Sequence, residues 1–176
     1  MPQFPVNPTR YDPYKNFKFR VMWDGAYVLG AASVTGLTRK TEVIKHRAGG
    51  DPSTQHLSPG TTSYDPVTIK SGVTQDRTFH LWMGKVWALG NQFGMEVSLK
   101  DFRKDVTLEV YNEAGQLAIA YTIYRCWPSE FQAQADLDAN TGGILFQHLK
   151  LENEGFAIDT SVPELPEPSF VIPVGP

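Results

Sequence analysis

The sequence predicts a mainly β domain of the α+β class, with two packed antiparallel sheets or a β-barrel and one flanking α-helix. Several short segments alternate apolar and polar residues with a period of two, which is typical of strands. Turns rich in glycine and proline separate these segments, and a single segment repeats its apolar residues with helical spacing. The chain has 176 residues, 41% of them hydrophobic, which is enough for one domain with a continuous core.

The first strand and turn give the clearest local signal. Residues 17–23 place phenylalanine, valine and tryptophan at odd positions and Lys18 and Arg20 between them. Asp24 and Gly25 follow, a pair that favours a tight hairpin turn because glycine accepts a positive φ. Residues 26–32 are predicted to return as the second strand of this hairpin.

A third strand and a long loop are predicted next. Residues 37–46 combine β-branched and charged residues and indicate a strand. Residues 47–63 are polar and contain several glycines and prolines, so they predict a loop. A loop of this length in a small domain is usually functional or disordered. Residues 64–70 predict the fourth strand.

The helix is predicted over residues 74–89. Thr74 is a suitable N-cap, and Gly90 is a natural stop. One apolar stripe runs along the helix and consists of Phe79, Trp82, Met83, Val86 and Trp87. We interpret this stripe as packing against a sheet.

The second half of the chain predicts three further strands and a proline-rich end. Strands are expected over residues 105–111, 117–125 and 143–152. The domain organisation is then an extended N-terminal arm (1–13), a β domain (14–155) and a proline-rich C-terminal tail (156–176).

The residues give no sign of catalysis or of a bound cofactor. The formal net charge is −3, so no basic surface field attracts nucleic acid. The single cysteine, Cys126, lies beside aromatic residues and is expected to be buried. The four histidines show no metal-ligand spacing with a carboxylate or thiolate partner. We therefore expect no catalytic residue, no metal and no cofactor.

The first residues do not resemble a signal peptide, because no basic run precedes an apolar run. No apolar stretch reaches membrane-spanning length either. The expectation is synthesis in the cytoplasm without a signal peptide, and no membrane insertion of the monomer.

The predicted strands leave sheet edges that a lone monomer covers poorly. Such edges are protected when they pair between subunits in a closed ring. Self-assembly is therefore the first kind of function that the pattern favours. A monomeric β-barrel that binds a small ligand is the alternative from another class, and it requires an enclosed pocket with convergent polar groups.

The order and spacing of several short segments resemble the contractile phage tail tube family, the inner tube of contractile tails and extracellular contractile injection systems. The resemblance extends over about residues 11–156. It rests on residues 12–21 (DPYKNFKFRV), 23–25 (WDG), 34–37 (VTGL), 41–44 (TEVI), 47–51 (RAGGD), 69–74 (IKSGVT), 82–87 (WMGKVW), 103–107 (RKDVT), 136–140 (DLDAN) and 149–155 (LKLENEG).

The resemblance implies a structural protein and not an enzyme. Family members form hexameric rings that stack into a hollow tube inside a contractile sheath, and they are similar in fold to the type VI secretion tube protein. The implied partners are further copies of the chain, the sheath protein, and baseplate, hub and tube-terminator proteins. Cargo or DNA could pass along the lumen. A phage tail, a tailocin or an extracellular injection particle would be the final location.

The family's long loop after the third strand contacts the neighbouring ring. In this chain the corresponding residues are Arg47, Gly49, Gly50, Asp51, His56 and Ser63. Strand alternation places Lys40 and Glu42 opposite Thr41 and Val43, and we expect both charged side chains to face the lumen. The proline-rich tail favours one further alternative, a tube-initiator ring near the baseplate.

Overall fold

The computed structural model describes residues 13–28, 30–47, 49–50, 53–91, 102–135, 137 and 142–163. These residues form ten β-strands and one α-helix. The elements are β1 (Phe19–Trp23), β2 (Ala26–Tyr27), β3 (Ala31–Val34), β4 (Arg39–His46), β5 (His56–Tyr64), β6 (Val67–Gly72), α1 (Thr78–Asn91), β7 (Lys104–Tyr111), β8 (Leu117–Gln132), β9 (Phe146–Glu152) and β10 (Gly155–Ile158).

Eight strands form one antiparallel sheet, in which seven follow the order β2-β1-β7-β8-β9-β6-β3 and β10 pairs with β8 off this path. The long strand β8 connects its two halves. The first half of β8 pairs with β7 and β10, and the second half pairs with β9. Arg125, between these halves, has a positive φ of 52°, and its backbone N–H donates to the Asp105 carboxylate at 2.8 Å. The remaining two strands, β4 and β5, form a separate sheet.

The first hairpin has the predicted turn but a shorter second strand. Asp24 and Gly25 have φ values of 51° and 72°, the conformation of the tight turns that match strand twist. The predicted strand over residues 26–32 is divided, and this part of the prediction was wrong. β2 ends at Tyr27, Gly30 has a φ of 70°, and β3 then pairs with β6 instead of β1.

We expect Gly25→Ala to destabilise the domain by about 1–2 kcal/mol, because an L-residue is strained at a φ of 72°. Urea unfolding followed by circular dichroism would measure this change. Gly36→Ala is the matched control, because a methyl group at Gly36 has nothing within 4 Å and no positive φ is recorded there. Equal stability of the two variants would contradict the prediction.

The core lies between the halves of the sheet path and extends to the helix. Its centre consists of Val21, Trp23, Val67, Ile69, Phe79, Trp82, Val106, Ile123, Cys126, Leu149 and Leu151. The register of β7 and β8 pairs Val106 with Ile123 and Leu108 with Tyr121, so these four side chains share one face. Cys126 is completely buried, as expected from its aromatic neighbours.

The helix begins at Thr78, later than residue 74, where its sequence predicted the start. Thr74 is not the N-cap: its hydroxyl accepts a bond from the Asp76 amide, and Asp76 Oδ1 then accepts from the Thr78 amide at 2.9 Å. The carboxylate competes better than the hydroxyl for the first free N–H groups. The helix also continues one residue beyond Gly90.

At its first positions, the apolar stripe of the helix faces the sheet, as predicted. Phe79 and Trp82 are buried, and Met83 and Val86 are partly buried. The side chain of Trp87 lies outside the described residues.

Three strand segments were not predicted. Residues 56–63 belong to β5, residues 126–132 extend β8, and β10 continues the sheet to Ile158, beyond position 156 where the tail was expected to begin. Each gains its strand character from a neighbouring strand, because its own sequence does not alternate regularly.

Candidate assembly surface

A hairpin projects from the domain, and we call β4, β5 and the residues between them the arm. From here on, this name does not refer to the N-terminal residues 1–13. Every residue of β4 is exposed, as are most residues of β5. At its base, Lys40 Nζ lies 2.7 Å from Asp65 Oδ2, and the Asp65 amide donates to the carbonyl oxygen of Thr38 at 3.1 Å. Farther out, the Thr41 and Thr62 hydroxyls are 3.0 Å apart. The arm is thus attached at its base and is not covered by the core of its own subunit.

This hairpin corrects the predicted loop over residues 47–63. Arg47, Gly49 and Gly50 follow β4 at the outer end of the arm and are exposed. His56 begins β5, and Ser63 pairs with Lys40 near the base. Asp51 lies outside the described residues. The five described residues among those predicted to contact the next ring are therefore spread along the length of the arm.

The register of the arm contains a β-bulge between Thr41 and Val43, so Glu42 lies at the irregular position. A Cβ atom at Gly60 would stand 3.0 Å from Ile44 Cγ1 and 3.3 Å from the Glu42 carbonyl oxygen. Glycine at position 60 therefore allows the Ile44 side chain to lie against β5. Lys40 and Glu42 are both exposed, and their orientation toward a lumen stays a prediction.

One face of the arm exposes two large apolar side chains. Val43 pairs with Pro59 and Lys45 pairs with Leu57, so these four residues share one face. Val43 is 55% exposed and Leu57 is 65% exposed. Two large apolar side chains this exposed on one face make the arm a candidate contact surface.

A groove opens between the start of β1 and β3. It has a volume of about 510 Å³ and is lined mainly by apolar side chains, including Phe17, Phe19, Val34, Leu108 and Val110. Within the described residues, β3 pairs with β6 alone and β10 pairs with β8 alone. This open groove is not the enclosed polar pocket that the ligand-binding alternative requires.

A cluster of charges surrounds the turn between β9 and β10. Glu154 accepts from Arg103 at 2.6 Å and from Arg125 at 2.9 Å. The Glu154 amide also donates to the carbonyl oxygen of Tyr124 at 3.1 Å. These bonds fix the bend of β8 against the β9–β10 turn.

The perturbed titratable groups have structural explanations. Burial, with the nearby Asp105 charge, raises the pKa of the Cys126 thiol to about 12, so the thiol is not a nucleophile at neutral pH. Burial and the hydrogen bond to Glu109 hold the pKa of Tyr111 well above its ordinary value. Across the described parts of the chain, no group of three or more histidine, cysteine or acidic residues could hold a metal ion.

Comparison with solved structures finds the same fold in contractile injection particles. A chain in the sheath–tube complex of the PVC extracellular contractile injection system, in its extended state, has a TM-score of 0.69 and 21% identity over 86% of this chain and 93% of that one. A chain in the tube-terminating cap of the anti-feeding prophage has a TM-score of 0.69 and 20% identity, covering 85% and 92% of the two chains. A chain in the baseplate of that prophage has a TM-score of 0.67 and 18% identity, covering 85% and 97%.

The class defined by this fold is therefore that of the tube proteins of phage tails and injection particles, which are structural proteins and not enzymes. The family model described as T4-like virus tail tube protein gp19 matches residues 15–157. The chain belongs to this family. No curated protein sequence matches the chain. The resemblance noted in the sequence is confirmed.

None of the helices in the described parts of the chain has the length and apolar character needed to span a membrane.

Proposed function

We propose that this protein is the inner-tube subunit of a phage-like contractile injection system. Its copies assemble into hexameric rings, and the rings stack into a conduit that sheath contraction drives through a target envelope. The family match over residues 15–157 carries this proposal. The partners are further copies of the chain, the sheath protein, and baseplate, hub and terminator proteins, with cargo or DNA in the lumen.

The arm supplies the contact between rings in this proposal. Its strands are exposed and lie outside the eight-stranded sheet, and no described residue of the subunit covers Val43 and Leu57 on its apolar face. The contact residues include Arg47, Gly49, Gly50, Asp51, His56 and Ser63. Lys40 and Glu42, near the base of the arm, are proposed to line the lumen.

The strand edges of β3 and β10 supply the contact within a ring. Each edge has one partner within the described residues, so a neighbouring subunit can continue the sheet there. Backbone pairing of this kind adds a net of about 1 kcal/mol per hydrogen bond, and several such bonds along an edge resist shear during contraction.

A tube-initiator ring near the baseplate is the second candidate. It is favoured by the proline-rich tail beyond residue 156 and by the similarity to a chain in a baseplate structure. Antibody labelling of the assembled particle separates the two. A bulk tube subunit is exposed along the whole tube after sheath removal, and an initiator is found at one end.

Negative-stain electron microscopy of the purified protein, with light scattering on the same sample, tests the proposal. We expect six-fold rings or stacked tubes and a mass that is a multiple of six subunits. A monomer at high protein concentration, also in the presence of a baseplate template, would contradict the proposal.

A further inference from the structure

We propose that His46 and His56 form a binding site for a divalent transition-metal ion near the outer end of the arm. The two residues are direct partners in the register of β4 and β5. Their imidazole ring centres are 5.5 Å apart, and the ring planes differ by 29°. Two ring nitrogens from adjacent strands can thus be directed at one ion. This inference does not depend on tube formation.

The separation of the rings fits coordination of one ion. With metal–nitrogen bonds of about 2.0–2.1 Å, the centres of two imidazoles on one ion stand roughly 4.5–6.4 Å apart, depending on the angle between the bonds. The observed 5.5 Å lies inside this interval. The rings are stacked, and rotation of both about χ2, a broad torsion, would direct one nitrogen of each ring toward a shared ion. A histidine ligand uses one ring nitrogen, and the other commonly bonds to a further group.

The surroundings of the pair also suit a metal ion. Both histidines are exposed, so water can fill the remaining coordination positions. Ile44 and Ser58 form the next pair on this face, and neither carries a charge. Lys45 pairs with Leu57, which alternation places on the opposite face. Two imidazole nitrogens select nickel, copper or zinc, because calcium and magnesium prefer oxygen ligands.

An ion at this position would connect β4 to β5 far from the base of the arm. A two-stranded hairpin is only marginally stable by itself. The bound ion would therefore hold the strands together beside the exposed residues Arg47, Gly49 and Gly50. This is a stabilising role for an ion and requires no catalysis.

Nickel titration of the full chain by isothermal calorimetry tests the site. We expect the wild type to bind Ni²⁺ at this site, and His46→Asn and His56→Asn each to weaken that binding about 100-fold, because each removes one of two linked ligands. His80→Asn is the matched control, since His80 is an exposed histidine on the helix. The affinity of His80→Asn for Ni²⁺ should equal that of the wild type. Equal affinity of all four proteins would overturn the proposal.

Hydrogen exchange provides an independent result on the same proteins. Ni²⁺ should slow the exchange of amides in β4 and β5 in the wild type and in His80→Asn, and it should leave the arm unchanged in the other two variants. Nickel binding without slower exchange in the arm would place the ion elsewhere and would also overturn the proposal. Circular dichroism confirms that the variants are folded, and either result leaves the tube function untouched.

Discussion

Replacement of both Val43 and Leu57 by aspartate is expected to abolish the stacking of rings and to leave the subunit folded. The two side chains are 55% and 65% exposed and share one face of the arm. They contribute little to the stability of the subunit, because surface substitutions usually change the free energy of unfolding by less than about 0.5 kcal/mol. If a neighbouring ring covers this face, two buried carboxylates without partners would prevent the contact.

Sedimentation of tubes and electron microscopy would measure assembly, and urea unfolding would measure the stability of the subunit. Leu81→Asp is the matched control. Leu81 is 64% exposed, nearly the same as Leu57, but it lies on the helix. We expect tubes of normal length from the control and isolated rings or monomers from the double variant. Normal tubes from the double variant would show that the arm's apolar face is not the contact between rings.

The sequence was sufficient to predict those parts of the fold in which the local residue pattern agrees with the environment in the folded domain. Strands were predicted over residues 105–111 and 117–125, and both segments form strands, β7 and the first half of β8, which pair with each other. Asp24 and Gly25 form the predicted turn, since their preference for positive φ is a local property. The apolar stripe of α1 likewise faces the sheet at Phe79 and Trp82.

Prediction failed where the structure depends on distant pairing. Residues 56–63 contain proline and glycine and read as a loop, yet they form β5 because β4 supplies hydrogen-bond partners. β5 has no buried face, so its sequence lacks the apolar alternation on which the prediction depends, whereas β4 was predicted from its β-branched residues. The division of β2 from β3 also follows from pairing, because β6 provides a partner for β3 in the other half of the sheet path.

The histidine pair shows the same limit for a site. His46 and His56 lie in different predicted segments, a strand and a loop, so no spacing rule connects them. The register of the arm brings them face to face. A sequence signal for this pair would have required the hairpin itself to be predicted first.

The largest loss of stability is expected from Trp82→Ala. Trp82 is 2% exposed, its ring centre lies 4.8 Å from that of Trp23, and its Nε1 donates to the carbonyl oxygen of Phe102 at 2.6 Å. The substitution removes the contact to Trp23 beside the first turn, leaves a cavity, and deprives the Phe102 carbonyl of this donor. We expect a loss of about 3–5 kcal/mol in the free energy of unfolding, a large part of the 5–15 kcal/mol typical of a domain.

Two further variants separate the causes of that loss. Trp82→Phe keeps an aromatic ring beside Trp23 but removes the donor, and it should cost about 1–3 kcal/mol because a buried carbonyl is left without this hydrogen bond. Leu81→Ala, at the exposed neighbouring position, controls for a change of helix propensity and should be nearly neutral. Urea unfolding by circular dichroism measures all three. If Trp82→Ala were as mild as Leu81→Ala, the helix would not be fixed to the sheet through Trp82. The loss of stability is expected to be largest for Trp82→Ala, smaller for Trp82→Phe and smallest for Leu81→Ala. The reason is that Trp82 both fills core volume and donates a hydrogen bond from α1 to the segment that leads into β7.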